Sequence, residues 1–158
     1  MRVLVRRIPA VFVCLLLATA FAAAKDLAVV SNKANSVQDL TLPDLAKICK
    51  VQTTHWPDGK PVTFVMMAPS SPDMKALVLK VYEVTPTDVD GIISSANHER
   101  KNHPAIVVVT SPEAVVQKVE STPGALGVVD VYSITSGVTV LKVAGKLPLQ
   151  PGYSLHGN

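Results

Sequence analysis

Residues 106–131 read IVVVTSPEAVVQKVESTPGALGVVDV, and this stretch decides the fold. Residues 106–109 are apolar and β-branched, which predicts a buried strand. Ser111-Pro112-Glu113 predicts a helix start, because a hydroxyl can cap the first amides while proline and an acid suit the first turn. Pro123-Gly124 then ends the helix, and residues 125–131 predict a second strand. This strand–helix–strand order predicts an α/β fold in which helices flank a mixed or largely parallel sheet.

The rest of the chain repeats the same alternation of strands and helices. Thr41, Thr85 and the serines of residues 70–73 stand just before a proline and an acid, and each predicts a helix start. Asp58-Gly59 predicts a turn with a glycine at positive φ. The buried stripe predicted for the helix that follows residues 70–73 is Met74, Leu77, Val78 and Val81. The remaining predicted elements are strands at residues 27–30, 61–67 and 138–143, and the helix from Thr85 is expected to end near His98.

The composition is that of an ordinary globular domain. The chain has 158 residues, of which 48% are hydrophobic and 17% charged, and its formal net charge is +3. Arg2, Arg6 and Arg7 account for that excess, so residues 25–158 carry 12 basic and 12 acidic side chains. A domain without net charge, whose few aromatic residues are not clustered among basic ones, offers no stacking surface for nucleic acid. No nucleic-acid partner is therefore predicted.

The N-terminus has the pattern of a secretory signal peptide. Residues 1–7 are basic, residues 8–20 are largely apolar, and three alanines follow shortly afterwards. We predict a signal peptide at residues 1–24 and one exported domain at residues 25–158, in the periplasm or secreted. An uncleaved membrane anchor is the alternative, although the apolar run is near or below the roughly 18 to 20 residues that span a bilayer.

The sequence carries no recognisable catalytic or metal motif. His98 and His103 are five residues apart, so on a helix their rings would point about 140° apart, and a solvated basic loop is predicted instead of a zinc site. Neither a Gly-x-Ser-x-Gly turn nor a glycine-rich phosphate loop occurs. Cys49 falls at an apolar helical position, which predicts a buried thiol rather than a reactive one. We therefore expect no enzyme, metal or cofactor; a hydrolase of unrecognised type is the third-ranked alternative.

Ser70 and Ser71 form the one feature with binding potential. Free amides, hydroxyl donors and the helix dipole at a helix start can together hold a small oxyanion. Plain helix capping is the competing explanation, since every helix start needs it.

Several motifs, taken in order, resemble those of one protein family. They are residues 29–35 with the Leu-Thr helix start at residues 40–45, Trp56 with its Asp-Gly turn at residues 56–62, the serine loop at residues 69–72, Pro123-Gly124-Ala125-Leu126-Gly127-Val128, and Gly152-Tyr153-Ser154-Leu155. The ordered set is similar to the substrate-binding proteins of phosphate-type ABC transporters, within the type 2 periplasmic-binding-protein-like superfamily. The resemblance covers nearly all of residues 27–155.

This resemblance implies a fold like one lobe of a type 2 periplasmic binding protein. It also implies a ligand, phosphate or a related oxyanion, bound by Ser70 and Ser71, and a membrane permease or other envelope protein as partner. The chain departs from the family in length, in lacking a local arginine, and in having Asp73 beside the serines. Arg100 and Lys101, from a loop that also contains His98 and His103, are the candidate sources of positive charge. The alternative is a non-catalytic protein-interaction module that keeps the fold, has lost the anion site and contacts a partner through residues 98–103.

Overall fold

The computed structural model describes residues 25–100 and 102–157. The predicted signal peptide, residues 1–24, lies outside them. The strands are β1 (Leu27–Asn32), β2 (Asp39–Leu40), β3 (Thr63–Met67), β4 (Ile106–Val109), β5 (Ala125–Asp130), β6 (Val138–Val140) and β7 (Lys142–Val143). The α-helices are α1 (Leu42–Cys49), α2 (Lys75–Leu77), α3 (Pro86–Asn97) and α4 (Pro112–Ser121). There are 3₁₀ turns at Pro72–Met74 and Val131–Ser133, and a π-helical turn at Val78–Tyr82.

Within the described residues, five strands form one mixed sheet in the order β4-β3-β5-β1-β6. β3 runs parallel to both β4 and β5, whereas β1 runs antiparallel to β5 and β6. β2 and β7 form a separate short parallel pair. The predicted α/β fold, a mixed sheet with flanking helices, is confirmed. β4, α4 and β5 are the strand–helix–strand unit that residues 106–131 predict.

α4 covers one face of this sheet. Its residues Val115, Val116 and Val119 are buried, and the helix is capped as predicted, because the Ser111 hydroxyl accepts a hydrogen bond from the Ala114 amide at 3.2 Å. Gly127 of β5 lies directly beneath the helix. The valine face of α4 is therefore the face that packs on the sheet.

The π-helical turn covers the other face. Successive residues of a strand point to opposite faces, and Val65, which pairs with Gly127, is followed by Met66. The Tyr82 hydroxyl lies 3.6 Å from the Met66 sulfur and donates to the Cys49 carbonyl oxygen at 3.0 Å. This bond ties α1 to the turn, so the sheet lies between two helical layers.

The starts of α1 and α3 also agree with prediction. The Thr41 hydroxyl accepts from the Asp44 amide at 3.2 Å, and Thr85 and Asp88 form a reciprocal capping box. Cys49 at the end of α1 is buried, as predicted, and burial raises the pKa of its thiol well above the usual range. No helix among the described residues is long and apolar enough to cross a bilayer.

The prediction of a single helix after residues 70–73 is wrong. A 3₁₀ turn, the three residues of α2 and the π-helical turn replace it, although the predicted stripe of Met74, Leu77, Val78 and Val81 is buried. The wider π turn brings Val81 and Tyr82, which are adjacent in sequence, both into the core. The segment ends at Glu83, whose φ of 57° is left-handed.

The last predicted strand, residues 138–143, is divided into β6 and β7. Leu141 separates them: its amide donates to the Val29 carbonyl oxygen at 2.9 Å, while its side chain is fully buried. β6 then pairs with β1, and β7 pairs with β2. Two sheets therefore share a segment that periodicity alone predicts as one strand.

Candidate functional site at the carboxyl edge of the sheet

The parallel strands β3, β4 and β5 all end at the same side of the sheet, which we call the carboxyl edge. Residues 70–73 follow the end of β3. β1 is antiparallel and begins at this edge, since Leu27 pairs with Asp130, the last residue of β5. Ligands of open α/β sheets bind beyond the carboxyl ends of the strands. The loop with the two serines therefore lies where such a fold places a ligand.

Ser71 differs from the other hydroxyl residues that begin helices in this chain. Thr41, Thr85 and Ser111 each accept a hydrogen bond from the amide three residues on. In the described part of the chain, the Ser71 side chain makes no such capping bond. Ser71 is half-buried and Ser70 is exposed. Within the described residues, plain capping therefore does not account for Ser71, and both hydroxyls lie where they can donate to a ligand.

The backbone around the serines offers fewer donors than the sequence suggests. Pro72 has no N–H, the Ser71 amide donates to the Ala68 carbonyl oxygen at 2.8 Å, and the Met74 amide donates to the Ser71 carbonyl oxygen at 3.0 Å. α2 has three residues, and the dipole of so short a helix is small. The expected set of free helix amides is corrected accordingly: hydroxyl groups are the main donors here.

Lys25 brings positive charge to this edge. Its ammonium lies 2.8 Å from the Asp130 carboxylate, and its side chain is 55% exposed whereas that of Asp130 is 6% exposed. The hydrogen bond and charge of Asp130 raise the pKa of Lys25, and the carboxylate of Asp73 adds to the effect. Lys25, Asp73 and the two serines all lie at this edge of the sheet, and we call them the carboxyl-edge site. Sequence reasoning missed Lys25, because only the antiparallel direction of β1 brings it here.

The C-terminal tail closes over the start of β1. The Tyr153 hydroxyl donates to the Leu27 carbonyl oxygen at 2.8 Å, and the Leu27 amide donates to the Leu155 carbonyl oxygen at 3.0 Å. His156 pairs with Asp26, which is buried. The Gly-Tyr-Ser-Leu motif thus has a structural role in this chain, since it fastens the C-terminal tail to the start of β1.

Arg100 lies at the opposite end of the sheet. Asn97 fastens the end of α3 to the start of β4, because its side-chain amide donates to the Ile106 carbonyl oxygen at 2.7 Å. Arg100 follows three residues later and lines a hollow of about 790 Å³ together with His98, Lys50 and residues along α3. The structure does not bring Arg100 to Ser70 and Ser71. Lys101, the other candidate cation, lies outside the described residues.

Three of the family-like motifs meet at the amino end of β5. The Trp56 indole donates to the Gly124 carbonyl oxygen at 2.8 Å, and the Gly124 amide donates to the Asn35 side chain at 3.0 Å. Gly124 has φ of 85°, and a Cβ there would lie 2.2 Å from the Pro61 carbonyl oxygen. No other residue fits this position. These motifs join loops to the sheet and lie away from the carboxyl edge.

Among residues 25–100 and 102–157, no three His, Cys, Asp or Glu side chains are placed to hold a metal ion.

Several solved structures with a similar fold carry the names of phosphate-binding proteins. An ABC-type phosphate transport receptor from Vibrio cholerae matches with a TM-score of 0.61 and 22% identity, over 85% of this chain and 55% of that protein. PstS from Borrelia burgdorferi matches with a TM-score of 0.65 and 19% identity, over 86% of this chain and 56% of that protein. A putative phosphate ABC transporter substrate-binding protein with bound phosphate, from Clostridium perfringens, matches with a TM-score of 0.62 and 20% identity, over 78% of this chain and 46% of that protein. Identities this low establish the fold alone, and the chain spans about half the length of these proteins.

Sequence comparison gives the family directly. No curated protein sequence is significantly similar to the chain. A family model described as a PBP superfamily domain matches residues 20–153, which is most of the chain. The resemblance to phosphate-type substrate-binding proteins is confirmed at the level of family and fold. The chain belongs to the family of PBP superfamily domains.

Proposed function

We propose that this protein is a non-enzymatic binding protein that acts outside the cytoplasm and takes phosphate or a related small oxyanion at the carboxyl-edge site. The observation that carries the proposal is the Ser71 hydroxyl, which stands at a helix start without capping it, next to the exposed Ser70. The position agrees with the ligand-binding edge of open α/β sheets. The names of the structural neighbours, which describe phosphate receptors, support the choice of ligand.

The charges at the site indicate how an oxyanion would be held. The Ser70 and Ser71 hydroxyls donate hydrogen bonds to its oxygens, and the half-exposed Lys25 ammonium supplies positive charge that its ion pair with Asp130 partly neutralises. Asp73 repels a fully ionised anion, but a carboxylate accepts a hydrogen bond from a protonated phosphate oxygen. Sulfate has no proton to donate at neutral pH. We therefore expect phosphate to bind better than sulfate, and both to bind more weakly than at a site built from arginines.

The proposed setting is that of a transporter component. The basic, apolar and small-residue pattern of residues 1–24 supports export, and the named neighbours support a membrane permease of the ABC type as partner. The hollow near Arg100 lies at the other end of the sheet and has no part in the proposed ligand site.

Isothermal titration calorimetry of the purified protein with phosphate and with sulfate tests the proposal. We expect saturable phosphate binding that Ser70→Ala and Ser71→Ala each weaken by about tenfold or more, the usual effect of losing a hydrogen bond to a charged group. Ser94→Ala is the matched control, since Ser94 is an exposed serine on α3, and it should leave binding unchanged. Absence of binding at millimolar phosphate, or equal affinity in the variant that lacks both Ser70 and Ser71 hydroxyls, would contradict the proposal.

A further inference from the structure

We infer that the Asn97 side chain keeps this protein from pairing with itself: it covers the outer side of β4, and without it β4 pairs with β4 of a second copy of this chain. The outer side is the hydrogen-bonding side of the strand that faces away from β3. Such pairing would be an association of the protein that does not involve its proposed ligand.

Two residues of β4 direct their backbone groups to the outer side. β4 is an outermost strand of the five-stranded sheet, next to β3 alone. The Phe64 amide of β3 donates to the Ala105 carbonyl oxygen at 2.8 Å, and along a strand the residues that bond one neighbour alternate with residues that point away from it. Phe64 pairs with Ile106, so Ile106 and, two residues later, Val108 direct their N–H and C=O groups outward.

The Asn97 side chain occupies the outer side at Ile106, as a further strand would. Its amide nitrogen donates to the Ile106 carbonyl oxygen at 2.7 Å, and its oxygen accepts from the Ile106 amide at 3.2 Å and from the Ala105 amide at 2.9 Å. An asparagine side chain has a donor and an acceptor, so it satisfies both outward groups of one residue. Asn97 is the last residue of α3, and the end of that helix therefore blocks another strand here.

The sequence of β4 itself does little to prevent pairing with another strand. Residues 106–109 are Ile-Val-Val-Val, without a charge or a proline, whereas outermost strands are commonly protected by lysine, proline or a bulge. The Val108 side chain is 42% exposed, and β-branched residues of this kind pair favourably across strands. Among the described residues, Asn97 is therefore the group that limits access to this side.

A second copy of β4 fits the outward groups in one register. Antiparallel pairing about a two-fold axis at Val107 places Ile106 opposite Val108 of the other copy, and such opposite residues exchange both of their N–H···O bonds. Asn97 excludes this register, because it already bonds both outward groups of Ile106. The four apolar side chains offer no charge to a charged peptide, which favours an identical strand as the partner.

Sedimentation velocity of the purified protein over a range of concentrations tests the inference. Asn97→Ala should dimerise at concentrations at least about tenfold lower than the wild-type protein, which should remain monomeric over the same range. Adding Val108→Lys to Asn97→Ala should restore the monomer, since a lysine on an outermost strand opposes pairing. Gly127→Ala is the control, because it strains the packing of α4 and leaves the outer side of β4 unchanged.

A cysteine crosslink tests the register. In the Asn97→Ala protein, Val107→Cys should give a disulfide-linked dimer under mild oxidation, because opposite residues of a non-hydrogen-bonded antiparallel pair have Cα atoms about 4.5 Å apart, within disulfide range. Val109→Cys is the matched control on the same face of the strand. Its cysteine would lie opposite Ala105 of the other copy, so the crosslink should form at least about tenfold more slowly. Equal rates for the two cysteines would contradict the register.

A folded Asn97→Ala protein that stays monomeric would overturn the inference. So would a dimer that Gly127→Ala forms equally well, or one that Val108→Lys leaves unchanged, because the interface would then lie elsewhere. Should Asn97→Ala fail to fold, Asn97→Ser provides the same test, since a serine hydroxyl is too short to bridge both groups of Ile106. These measurements contain no phosphate, so their failure leaves the proposed oxyanion site standing, and a failed phosphate titration leaves this inference standing.

Discussion

Gly127 shows how a single residue sets the distance between α4 and the sheet. A Cβ at this position would lie 2.7 Å from the Val119 side chain, 2.9 Å from the Val115 side chain and 3.3 Å from the Val65 carbonyl oxygen. Gly127→Ala should therefore lower the free energy of unfolding by about 1–3 kcal/mol, the usual cost of overpacking. Urea denaturation at constant m-value measures the change.

Gly91→Ala is the control for that substitution. Gly91 lies on the exposed side of α3, and a Cβ there would meet no other atom within 4 Å, so alanine should stabilise the protein by up to about 1 kcal/mol through helix propensity. Opposite signs at the two glycines are expected. A neutral or stabilising Gly127→Ala would show that α4 does not pack as closely as described.

A comparison of Ser71 with Ser111 explains why the candidate site can be predicted only in part from the sequence. Ser71-Pro72-Asp73 has the same pattern of hydroxyl, proline and acid as Ser111-Pro112-Glu113, and both patterns predict a cap. The outcomes differ because the Met74 amide bonds the Ser71 carbonyl oxygen in a 3₁₀ turn, whereas the Ala114 amide bonds the Ser111 hydroxyl. Packing of the segment that follows decides which of the two hydrogen bonds forms, and such packing is a tertiary effect.

Among the helices, α3 is the least anchored by apolar burial. Val89 is the one buried residue of its twelve in the described structure, whereas α4 buries three valines in ten residues. Local opening of a helix costs less when few apolar contacts hold it. Amides in the middle of α3 should therefore exchange with solvent deuterium at least about tenfold faster than those of α4. Similar protection in the two helices would contradict this account of the packing.

Most elements could be predicted because local signals agree with the tertiary fold. Caps and apolar periodicity locate β1, α1, α3, β4, α4 and β5 to within a few residues. The failures lie where distant contacts dominate: the Tyr82 hydroxyl reaches α1 and favours a π turn, and Leu141 separates two sheets. β2 has two residues, too few for a periodic pattern. Lys25 and Arg100 lie at opposite edges of the sheet. Their positions follow from the directions of the strands, which local sequence patterns do not reveal.

On the scale of the whole molecule, the two ends of the sheet are different surfaces. The carboxyl edge has the Ser70 and Ser71 hydroxyls and the Lys25 ammonium, whereas the amino end has the hollow lined by Arg100 and α3. Family membership and fold relate the chain to binding proteins about twice its length. We predict that ligand binding is confined to the carboxyl edge.

Nuclear magnetic resonance titration of the ¹⁵N-labelled protein with phosphate tests this most directly, since each amide reports its own surroundings. We predict saturable shift changes at Ser70, Ser71, Asp73 and the start of β1, with the amides of α3 and Arg100 unchanged. Shift changes centred on the Arg100 hollow, or none at millimolar phosphate, would contradict the central claim that the carboxyl edge binds an oxyanion.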